Sequence, residues 1–285
     1  MFAIKIIGAG LILALGIVLW RRTVRNTRRK RLLAEPLKPE LRRILEEHVP
    51  LYNRLPTELR GQLGGLINVF LAEKRFVGCG GQEITDQIRV TIAGQACMLL
   101  LNRKTSYFPK LTSIFVYPAP YVVRQAGGVG TEHRQERQGE SWQNGPVVLA
   151  WNSVTGGANN INDGQNVVFH EFSHRLDQED GSADGAPILE SRDCYASWAK
   201  VLSWEYEALQ RKTRKHRPSV LRRYGATHPA EFFAVATEAF MEKPKQMKKK
   251  HPDLYEELKS YYKLDPITWE QRTIVVNSSA ENLEA

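Results

Sequence analysis

Cysteine is nearly missing from this chain. Its three cysteines, Cys79, Cys97 and Cys194, are an odd number with no C-x-x-C pair, which excludes a disulfide-stapled scaffold and agrees with a reducing compartment. Cys79 sits in Gly78-Cys79-Gly80-Gly81, where a tight turn is its role and no partner marks it as a nucleophile. Acidic residues are absent from the first 31 positions. Those positions hold Lys5, Arg21, Arg22, Arg25, Arg28, Arg29, Lys30 and Arg31, so they carry +8 of the formal +9. The other 32 basic side chains nearly balance the 31 acidic ones. A nucleic-acid-binding body needs a basic face on the folded part, and the balance of the remaining chain excludes it. The clusters Arg211 to Arg217 and Lys243 to Lys250 read as solvated helix faces.

Long apolar runs are scarce as well. Ile6 to Trp20 is unbroken apolar or glycine, and Phe2 to Trp20 carries one charge, Lys5. Nineteen helical residues span about 28 Å, close to a hydrocarbon core, so residues 1–20 are expected to form a single transmembrane anchor. A cleaved signal peptide has its positive charges before the apolar region, and here the order is reversed. By the positive-inside rule the basic residues of the 21–40 juxtamembrane linker stay in the cytoplasm. The expected location is the bacterial inner membrane, single-pass, with the body facing the cytoplasm. A second apolar run, Val90 to Leu101, is too short to span and reads as a buried helix.

The 285 residues suffice for one large domain, expected over 41–270, with a short polar tail at 271–285. Helical patterns begin near Leu41 and at Pro56-Thr57-Glu58-Leu59, and Trp198, Val201, Leu202 and Tyr206 form another apolar stripe. Strand patterns follow at Ser113 to Tyr117, at Tyr121 to Val123 and at Pro146 to Trp151, with a polar loop or hairpin tip expected over 131–145. The 146–151 strand is expected to offer a sheet edge to which an extended peptide adds.

Histidine is also sparse, seven in all, yet two of them fall in His170-Glu171-Phe172-Ser173-His174. On a helix the pair lies on one face, one turn apart, where both imidazoles reach one metal ion; the intervening glutamate faces what the ion binds. Zn2+ suits these ligands and keeps one position open for water. Asp163-Gly164 reads as the start of this helix. The residues after His174 exclude a three-histidine extension, so the third ligand comes from further on. Glu231 and Glu238, seven residues apart on a helix opened by His228-Pro229, are the two candidates. Glu171 is the expected general base. Asp177 reads either as a histidine-orienting carboxylate or as a helix-end acid.

His170 to Asp177, Asp180-Gly181 and His228 to Val235 resemble the signature blocks of the Mlc titration factor A family of bacterial zinc peptidases. Glu83 to Asp86, Arg89 to Ala93 and Gly145 to Leu149 are similar to its other blocks, over roughly residues 50–265. The resemblance implies an α+β, zincin-like domain related to that of anthrax lethal factor, mainly helical with a small mixed sheet. It implies a gluzincin-like site and aminopeptidase-like activity. It places the third ligand on Glu231, leaves Glu238 beside the ligands or in a structural role, and makes Tyr224 the donor to the oxyanion. The implied partners are a peptide or protein substrate and, because the founding member binds the repressor Mlc, a transcriptional repressor. An alternative role follows: a membrane-tethered protein that sequesters a regulator, with peptidase activity secondary.

Overall fold

The computed structural model describes residues 2–104, 106–123, 135–137, 139–141 and 145–269. The tail expected at 271–285 lies outside them. Eleven α-helices and six strands are present among the described residues: α1 (Phe2–Ala34), α2 (Pro39–His48), α3 (Pro50–Arg54), α4 (Thr57–Glu73), β1 (Arg75–Gly78), α5 (Asp86–Met98), β2 (Ser113–Tyr117), β3 (Tyr121–Val123), β4 (Gln135–Arg137), β5 (Gly139–Ser141), β6 (Val147–Ala150), α6 (Trp151–Asn159), α7 (Val167–Asp177), α8 (Arg192–Arg214), α9 (Pro229–Glu242), α10 (Pro244–Lys250) and α11 (Pro252–Tyr262). The chain is thus mostly helical with a small sheet, ordered β1-β2-β6-β5. β1, β2 and β6 run parallel, and β5 joins β6 antiparallel. β3 and β4 form a separate antiparallel pair.

Two differences from the expected sheet have local causes. The polar segment 131–145 contains β4 and β5, because backbone pairing to β3 and β6 satisfies strands that lack apolar alternation. The expectation that 146–151 forms a free edge is corrected for the same reason. β6 is flanked by β2 on one side and β5 on the other, its four residues are all buried, and β5 is the outer strand.

Residues 90–98 of the apolar run lie in α5, which starts at Asp86 and is capped by Thr85, whose Oγ1 accepts from Ile88 N at 3.3 Å, while Leu99 to Leu101 leave the helix in a buried turn. From Val90 to Met98 it is buried at every position, and Gly94 lets α2 approach so closely that a Cβ there would lie 2.5 Å from Leu45 Cδ2. Beside it an aromatic cluster joins α4 to α7. Phe108 and Phe172 meet edge-on at 5.0 Å between centroids, and Phe70 packs on both rings. The helix that carries the two histidines is therefore nailed to the core by its opposite face.

The transmembrane anchor is not supported. Among the described residues no helix is long and apolar enough to cross a membrane, which overturns the single-pass inner-membrane location with a cytoplasm-facing body. Helix α1 does not stop at Trp20; it continues without a break through the arginine-rich stretch to Ala34. Its last turns lie on α4. Gly65 faces Leu33 so tightly that a Cβ would sit 2.5 Å from Leu33 O, and Asn68 Nδ2 donates to Leu32 O and Glu35 O. Arg29 forks onto Glu73 with two bonds of 2.7 Å and lies 4.5 Å over the Tyr107 ring. This arginine is thus bound to the folded body rather than to solvent or lipid headgroups.

A side chain at Gly65 should lift α1 off α4. Gly65→Val is expected to raise the rate of limited trypsin cleavage between residues 21 and 31 several-fold while leaving the body folded; cleavage at the parent rate would refute the docking. Phe172→Ala should cost about 3–5 kcal/mol of stability, read from urea denaturation.

Candidate metal centre

Helix α7 begins where Asn166 can cap it, not at Asp163-Gly164. Asn166 Oδ1 accepts from Val168 N and Phe169 N at 3.1 and 3.0 Å, whereas Asp163 Oδ1 closes a local turn by accepting from Gln165 N. From that start Val168, Phe169, Phe172 and Leu176 point into the core. His170 and His174 share the opposite face, their rings 4.9 Å apart.

Helix α9 supplies the other half. Pro229 opens it, and His228 caps it, its Nδ1 accepting from Ala230 N at 3.2 Å. His228 is thus a helix cap. Glu231 in the first turn faces the two histidines, its Oε2 2.9 Å from His170 Nε2 and 3.4 Å from His174 Nε2. One donor atom from each of the three residues lies within 4.8 Å of the others. A zinc ion with ligands at about 2.0–2.2 Å keeps its donor atoms roughly 3.3–3.6 Å apart, so this set fits one with little movement.

Glu238, one level deeper, is wholly buried. Its Oε1 lies 2.6 Å from His170 Nδ1, its Oε2 accepts from Asn166 N at 2.9 Å, and Arg222 Nη2 reaches both oxygens at 2.5 and 2.7 Å. This is the carboxylate that touches a histidine's second nitrogen. Asp177 Oδ2 instead accepts from Gly185 N at 3.0 Å. Gly185 has φ +81°, and a Cβ there would lie 2.6 Å from Pro229 O, so this contact holds the loop after α7 against the start of α9.

The electrostatics follow from these contacts. Burial works against charging His170, but hydrogen bonds to Glu231 and Glu238 win and push it up to about 10. Burial works to raise Glu231, and the two imidazoles outweigh it, holding the carboxyl well below its usual range. The site is thus built for positive charge between its donors. Tyr224 lies in a 3-10 turn, Arg223–Ala226, with its ring 5.8 Å from that of His170. Tyr224 is half exposed, and its partial burial with the charges of Glu231 and Glu171 pushes its hydroxyl up to about 12, so it remains a donor at neutral pH. Glu171 is buried, and its charge is felt by His170, Tyr224 and Arg175.

The structure therefore brings together all five predicted residues, His170, Glu171, His174, Tyr224 and Glu231. Sequence reasoning missed Asn166, Arg222, Gln95 and Glu242. Asn166 Nδ2 donates to Gln95 Oε1 and to Glu242 Oε1, and burial, followed by the nearby Glu238 and Asp163 charges, pushes the Glu242 carboxyl up to about 8 despite that bond. Only Asn166 carried a sequence signal, a cap-type residue one place before the apolar run.

Residues 24–263 match the family model described as glucose-regulated metallo-peptidase M90. An uncharacterized protein of Synechocystis sp. is 40% identical over 245 residues, covering 84% of this chain and 89% of its own. Proteins named Mlc titration factor A are also similar. The one from Klebsiella pneumoniae is 33% identical over 219 residues, 74% of this chain and 81% of its own, and the one from Escherichia fergusonii is 30% identical over 226 residues, 77% and 84%. With the family model covering most of its length and the expected resemblance to Mlc titration factor A borne out, this chain belongs to the glucose-regulated metallo-peptidase M90 family.

Proposed function

We propose that this chain is a zinc-dependent peptidase, with His170, His174 and Glu231 holding the ion and Glu171 as general base. The observation that carries the reading is the donor set: two imidazole nitrogens and one carboxylate oxygen within 4.8 Å on facing helices. When bound, zinc would bring the pKa of a water close to neutrality and polarise the substrate carbonyl. Glu171 takes the proton of the attacking water and passes it to the leaving amine. Tyr224 donates a hydrogen bond to the oxyanion of the tetrahedral intermediate. Glu238 accepts from His170 Nδ1, which leaves Nε2 to face the ion.

The outer strand β5 and the packing of its antiparallel partner against β2 support binding of an extended peptide on that side. The aminopeptidase preference rests on the family resemblance. A second reading has support in the relatives' name, Mlc titration factor A: capture of a transcriptional repressor, with hydrolysis secondary. A general base is not needed for capture, so one variant separates the two.

Glu171→Gln is expected to bind zinc as the parent does and to lose about 10²–10⁴-fold in hydrolysis of short peptides with free amino termini. Hydrolysis at the parent rate would refute the role of Glu171. Repressor capture undiminished in the same variant, with no hydrolysis by the parent, would favour the second reading. Tyr224→Phe should lower kcat about 10²-fold with zinc content unchanged. A chelator should abolish hydrolysis, and added zinc should restore it; activity that survives with the metal removed would exclude the mechanism.

A further inference from the structure

Glu238 makes four hydrogen bonds to three groups, and two of the four come from Arg222, which lies outside helices α7 and α9. Arg222 precedes the 3-10 turn and places a single nitrogen between the two oxygens of Glu238, at 2.5 and 2.7 Å. Because the carboxylate is wholly buried, its rotation is set by what it touches: Arg222 Nη2, Asn166 N and His170 Nδ1. Asn166 fixes one oxygen. The arginine, which bridges both, prevents the other from swinging away from the ring.

The same short segment reaches the ring from a second direction. Tyr224 follows Arg222 by two residues, and its ring lies 5.8 Å from that of His170. The turn that carries Tyr224 is pressed onto α9 at Gly225, where a Cβ would lie 3.1 Å from Val235 Cβ and 3.4 Å from Phe232 Cα. One rigid segment thus touches His170 through Glu238 and through Tyr224.

We propose that Arg222 is a positioning residue of the metal centre: acting through Glu238, it fixes the His170 ring so that Nε2 faces Glu231 and His174, and it ties the placement of Tyr224 to that ring. This rests on the metal-centre reading above. Arginine is suited to the task because its planar guanidinium offers directional donors, whereas lysine would offer a point charge on a flexible stem. Outer partners of ligand histidines typically contribute 10–100-fold to metal affinity.

The test is zinc affinity, measured by competition with a chromogenic chelator on the full chain. The set is the parent, Arg222→Gln, Arg222→Lys, Glu238→Gln and the double variant Arg222→Gln/Glu238→Gln, with Arg223→Gln as a neighbouring control. Arg222→Gln is expected to weaken zinc about 10–100-fold, Arg222→Lys to weaken it less, and Arg223→Gln to leave it unchanged. The double variant should bind zinc no more weakly than Glu238→Gln alone, because the arginine acts only through that carboxylate. Arg222→Gln within twofold of the parent overturns the proposal, as does an undiminished effect of Arg222→Gln in the Glu238→Gln background. Should Arg222→Gln fail to fold, Arg222→Lys decides, and parent-like affinity there counts against the proposal. A parent that takes up no zinc overturns the metal-centre reading itself; a zinc-binding parent with an indifferent Arg222 overturns this proposal alone.

Discussion

The contact between Glu238 and His170 is the one on which the geometry of the site depends. A carboxylate with no exposure to water costs several kcal/mol to bury unless its oxygens are matched, and here every match serves a second purpose. Asn166 N, which binds one oxygen, belongs to the residue that caps α7 and whose side-chain amide reaches Gln95 and Glu242. A single asparagine therefore sets where the histidine helix begins and how far α9 stands from it. Remove the carboxylate, and the cap, the interhelical spacing and the ring orientation lose a common reference.

Around that reference the fold divides its labour. The inner face of α7 is held by the Phe70, Phe108 and Phe172 cluster, by α5 and by α6, so the helix cannot roll. Its outer face is then free to carry polar groups at fixed heights. α9 approaches with Glu231 near its first turn and Glu238 two turns deeper, so one helix supplies both the carboxylate that meets the two imidazoles and the one behind His170. The small sheet contributes from the side: β6 leads into α6, which packs on α7, and the added strand β5 shields β6 from solvent.

Much of this was legible in the residues, for reasons particular to each. The His170 and His174 spacing encodes a shared helix face. His228 and Pro229 announce a helix start, because capping is a local interaction. Strand β2 shows as an apolar run between prolines. Other features depended on distant partners. Glu231 and Glu238 were equal by spacing, and only the orientation of α9 against α7 separates the residue that meets two imidazoles from the one buried behind them. β4 and β5 have no apolar alternation and exist through pairing. Arg222 gave no signal at all, since a lone arginine before a turn reads as a surface charge. The first helix misled because hydropathy ends where Trp20 does, while the helix itself continues and finds its partners at Glu73 and Gly65.

The two helices that carry the centre have a consequence for how the chain comes into being. His170, Glu171 and His174 leave the ribosome as a set, but Glu231 and Glu238 lie some sixty residues further on, beyond the whole of α8. A growing chain that has exposed its histidine helix has neither a third donor nor an orienting carboxylate. An ion caught at that stage meets two loosely held imidazoles, far short of a stable coordination shell. On the reading proposed above, the three-donor set is therefore complete only once α9 has been synthesised and has docked, and an unfinished copy lacks it by its own topology.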